Sequence, residues 1–68
     1  MKVTLYEKER DDDDSMFQPV NNDRLVWLID LISHIEQDKE GAKIRIDALL
    51  NGRKINTELS SFILKVDD

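Results

Sequence analysis

The stretch that most constrains this chain is residues 22–40, NDRLVWLIDLISHIEQDKE, the one long segment with strong helical periodicity. Leu25, Leu28, Ile29, Ile32 and Ile35 recur at three- and four-residue intervals, the spacing that lines up one helix face. Asp23, with Asn22 as its rival, is the expected N-cap, and Gly41 is the expected stop. Trp27 and Leu31 widen the apolar arc. From Trp27 by way of Leu28 to Ile29 it covers roughly 200°, twice the width an ordinary surface helix needs. Such a helix has more apolar surface than a small sheet of its own can cover.

The remaining chain offers little to cover it. With 68 residues there is material for one domain, 1–68. A chain this short buries only about 60% of its unfolded surface. Disulfides, a metal or a second subunit usually support chains below roughly 70–80 residues. There is no cysteine, and the lone His34 is poor metal chemistry. A homodimer, or docking on another protein, is therefore expected. The absence of cysteine fits a reducing compartment. The opening residues carry no apolar signal core, and no run approaches the length of a membrane span. The expected location is cytoplasmic, with no membrane contact.

Lys2 to Lys8 alternates, with Val3 and Leu5 on one side and Thr4 and Tyr6 on the other, and reads as a first strand. Residues 9–21 have no periodicity. Asp11, Asp12, Asp13 and Asp14 repel one another and suit neither helix nor strand, so this segment reads as a solvated acidic loop. Met16, Phe17, Pro19 and Val20 follow it, either packed under the start of the helix or exposed as a contact.

Beyond Gly41, the Asn51-Gly52 pair suggests a type I′ hairpin over residues 43–59. That register sets Ala48 against Ile55, Ile46 against Thr57 and Arg45 against Glu58, and turns Leu49 outward. Residues 62–66 read as a further strand after a Ser60-Ser61 turn, with a helix as the competing reading. The expected fold class is α+β: two layers, with one long helix on an antiparallel meander in the order β-α-β-β-β. The first strand would join an edge, parallel to the second or fourth strand, or pair with another chain.

No chemistry-bearing motif stands out. Two glycines exclude a glycine-rich phosphate loop, and no zinc spacing, nucleophile elbow or paired acid–base set occurs. DDDDSMF lacks the glycine and distal glutamate of a calcium loop. Neither catalysis nor a cofactor is expected. His34 reads as a surface or interface histidine, and Trp27 either caps the core edge or anchors an interface. The net charge of −5 disfavours direct nucleic-acid binding. A basic hairpin carrying Lys43, Arg45, Arg53 and Lys54 is the one feature that favours it.

Eleven acids and five bases precede Ala42, against four and five from there on, so an acidic side is expected. The resulting reading is a small acidic inhibitor or regulator that binds a protein with a basic surface and imitates nucleic-acid phosphate. Phage and mobile-element proteins of the anti-CRISPR and anti-restriction type offer an analogy of size and charge. The expected contacts are Asp11, Asp12, Asp13, Asp14, Phe17, Trp27, Leu31 and His34. The alternative is a homo-oligomeric assembly protein.

Overall fold

The computed structural model describes residues 2–35 and 38–67. Strand β1 spans Lys2–Glu9, a 3-10 turn spans Asp14–Met16, and strand β2 spans Gln18–Val20. Helices α1 (Asn22–Ile35) and α2 (Lys39–Leu50) follow, then strands β3 (Ile55–Asn56) and β4 (Ser60–Asp67). The four strands form one antiparallel sheet in the order β2-β1-β4-β3, with both helices on one face, a two-layer α+β arrangement.

Alternation sets the inner face. Leu5 pairs with Leu64, and Ile55 with Phe62; all four are buried. Leu28 and Ile32 of α1 and Leu49 of α2 complete the core. β1 does not lie at an edge. Its eight residues pair in register with all of β4, from Lys2↔Asp67 to Glu9↔Ser60, which makes these two strands the sheet's centre. The acidic segment also contributes a strand, since Gln18–Val20 pairs with β1.

The single long helix is two. α1 starts one residue earlier than its expected cap, because the Asn21 carboxamide oxygen accepts from the Asp23 N–H at 3.2 Å. It extends to Ile35, and Glu36 and Gln37 of the expected helix lie outside the described residues. Asp38 then caps α2, accepting from the Glu40 N–H at 2.9 Å, so Gly41 lies inside a helix rather than after one.

No hairpin forms at Asn51-Gly52. A type I′ turn needs positive φ at both residues. Asn51 sits at φ −90° and only Gly52 is left-handed, at +80°. The pair closes α2 instead. The Gly52 N–H donates to the Leu49 carbonyl and the Arg53 N–H to the Ala48 carbonyl, both at 3.0 Å, the paired bonds of a Schellman cap. Ala42, Ile46 and Leu49 recur at helical spacing and face the core, with Leu49 fully buried rather than outward. Ile55 consequently pairs with Phe62, not Ala48, and the expected basic hairpin has no scaffold. The chain turns before β4 through residues 57–60, not at Ser60-Ser61. Among the described residues, no helix is long and apolar enough to cross a membrane.

Candidate functional site

Two surfaces stand out. The first is the acidic segment, which is built rather than loose. Alternation along β1 sends Lys8 to the sheet's outer face, where it is only 6% exposed. The chain after Glu9 curls over its ammonium. Lys8 Nζ donates to the carbonyls of Glu9 and Arg10, each at 3.2 Å, and of Asp12 at 2.7 Å. An ammonium has three donors, and each has a backbone acceptor here. The Asp14 carboxylate lies 3.8 Å away, and the Phe17 ring is 5.6 Å from the same nitrogen.

Phe17 thus packs half-buried beside the lysine, while Met16 is exposed. All four aspartates face water. Asp13 caps the 3-10 turn through the Ser15 N–H, and Asp14 also reaches Lys54 at 3.5 Å. Nothing in the sequence marked Lys8, because an outward lysine on a strand is ordinarily solvated.

The second surface is a cleft of about 300 Å³ between α1 and the turn at residues 57–60. Trp27, Leu31 and Ile35 form a stripe beside the core stripe of α1, one side chain every helical turn. Trp27 is anchored at its base. Its ring lies 6.3 Å from that of Phe62, and the Arg24 guanidinium covers it at 4.1 Å. Arg24 is itself held by a two-point contact, Nε to Glu7 Oε1 at 3.2 Å and Nη2 to Oε2 at 3.0 Å.

Opposite the stripe, the Thr57 N–H and hydroxyl both donate to the Ser60 carbonyl, at 2.7 and 2.9 Å. This tight turn lifts Leu59 to 79% exposure, the highest among the large hydrophobic side chains described. The Arg10 N–H donates to the Leu59 carbonyl at 3.0 Å, which brings the start of the acidic segment to the cleft. Glu9, Arg10, Asp11 and Glu58 line an adjoining concavity that shares Leu59 and Ser60.

The structure brings Trp27 and Leu31 together, with Asp11 beside the adjoining concavity. It places Asp14 and Phe17 at Lys8 on the other face of the sheet. His34 is exposed on α1, and its Nδ1–H donates to the Asp30 carbonyl at 2.8 Å. Leu59, Arg24 and Glu58 belong to the cleft and Arg10 to the adjoining concavity, and none of them was legible as such. All four depend on which turn α1 faces. Tyr6 and Ile63 pair on the outer face, with Lys65 Nζ 4.8 Å over the tyrosine ring. Of the residues proposed for a basic hairpin, Arg45 bonds the Asn56 carbonyl and Lys54 meets Asp14.

Among the described residues, no group of three or more His, Cys, Asp or Glu is placed to hold a metal ion. No family model, curated protein or solved structure matches the chain.

Proposed function

We propose that this chain is a small acidic regulator or inhibitor that docks on a basic surface of a larger protein, where its aspartates stand in for nucleic-acid phosphate. The observation that carries this reading is the Lys8 clamp. A loose charge run loses its ordering entropy on binding, which costs about 1–2 kcal/mol per residue fixed. Here three bonds to one buried ammonium hold the segment in advance, while all four aspartates stay in water and Met16 adds an exposed apolar contact. Catalysis has no part in this reading, and anti-CRISPR and anti-restriction proteins remain its analogues in size and charge alone.

The test uses paired baits, wild type and a variant with Asp11, Asp12, Asp13 and Asp14 all changed to Asn. The expected result is a basic protein captured from source cells by wild type, released by raised salt and lost with the variant. Association of the purified pair should slow in the variant and lose its salt dependence, with dissociation less affected. Identical capture by both baits would remove the support for this reading.

A further inference from the structure

We propose that the Trp27 cleft is a two-fold interface between two copies of this chain. Leu59 of each copy seats against Trp27, Leu31 and Ile35 of the other, and Arg10 of each pairs with Glu58 of the other.

Exposure of the apolar groups is the first reason. Trp27 is 42% exposed, Ile35 57% and Leu59 79%, and they line one cleft. A soluble chain rarely leaves large apolar side chains gathered in this way without a covering partner. Leu59 is held out on a turn closed by its own hydrogen bonds, so it projects as a ready-made knob beside a groove.

Charge selects the occupant. The protein carries −5 overall, so two copies repel one another over most approaches. The cleft and its adjoining concavity are the exception. Both signs occur there: Arg10 stands beside Glu9, Asp11 and Glu58, and Arg24 is held by Glu7 at the foot of Trp27. A basic foreign protein would be drawn first to Asp12, Asp13 and Asp14, which lie outside this mixed-charge rim. A two-fold contact sets a patch against itself, so the rim must carry both signs to be self-complementary. Arg10 and Glu58, which line one concavity with Leu59, meet that requirement. The face of the sheet that carries Lys8 and Asp14 stays open in such a dimer.

Sedimentation equilibrium of the full chain, across about 1 µM to 1 mM, tests this. The wild type should pass from monomer to dimer mass and grow no further. Leu59→Asp should remain monomeric with an unchanged melting curve, because the side chain takes no part in the core. Arg10→Glu and Glu58→Arg should each weaken the dimer about tenfold, and the double variant should recover most of that loss, since the reversed charges still pair across the axis. Constant monomer mass, dimerisation by Leu59→Asp, no recovery in the double variant, or growth beyond dimer would each overturn the proposal.

Discussion

A methionine in place of Lys8 would keep the buried stem and remove the ammonium. Three backbone carbonyls would lose their donor at once. Hydrogen bonds from a charged group contribute about 1.5–3 kcal/mol, offset here because a buried ammonium no longer has to leave water. The expected outcome is a net loss of about 1–2 kcal/mol. It should be concentrated locally. Amide exchange over residues 9–17 should accelerate, while the β1–β4 ladder keeps its protection. Unchanged exchange in that segment would mean the carbonyls hold their places without the lysine. At this scale the sequence is a poor guide. Val3 and Leu5 announce their burial by alternation, but alternation sends Lys8 to the outer face, and only the path of the following loop decides that a charge is covered.

At the scale of elements, β1 and α1 were legible because each carries a single periodicity. Residues 42–50 carry two. Ile44, Ile46 and Ala48 alternate as a strand would, while Ala42, Ile46 and Leu49 repeat as a helix would. The punctuation does not separate them, since Asn-Gly serves both a hairpin turn and a helix stop. What decides is outside the segment. β1 and β4 match along eight residues, and they leave no central place in the sheet for residues 43–50. Asp38 then supplies the cap that starts α2. Gly52→Ala tests the stop. The site has room, with the Leu64 carbonyl oxygen 3.8 Å from the added carbon, so the cost is that of a left-handed backbone. That is about 1–2 kcal/mol, or a Tm drop of roughly 4–8 °C per kcal/mol in a domain of this size. A variant that melts like wild type would show that the left-handed residue is not what ends α2.

For the whole molecule, the two proposed contacts should respond differently to salt. Docking through the aspartates should weaken steeply as charges are screened, whereas in the proposed dimer screening of the Arg10–Glu58 pairs is offset by screening of the repulsion between copies of like net charge, and the apolar contact persists. The sequence made the acidic excess plain but not its division, because Arg10 and Glu58 come to line one concavity only through the turn at residues 57–60. The central pairing of the first strand with the last has a mechanical consequence. Lys2 lies opposite Asp67, so the two outer ends of the ladder are neighbours. Antiparallel hydrogen bonds run perpendicular to the strands. A pull applied at residues 2 and 67 therefore loads them one pair at a time, and the ladder opens like a zip. A pull at residues 2 and 60 acts along the strands and loads all eight pairs together. Single-molecule rupture should need clearly less force in the first geometry than in the second, and equal forces would place the mechanical resistance outside the ladder. A protein held this way resists being sheared far better than being peeled, so a protease or translocase that engages either end would meet the sheet from its weak direction.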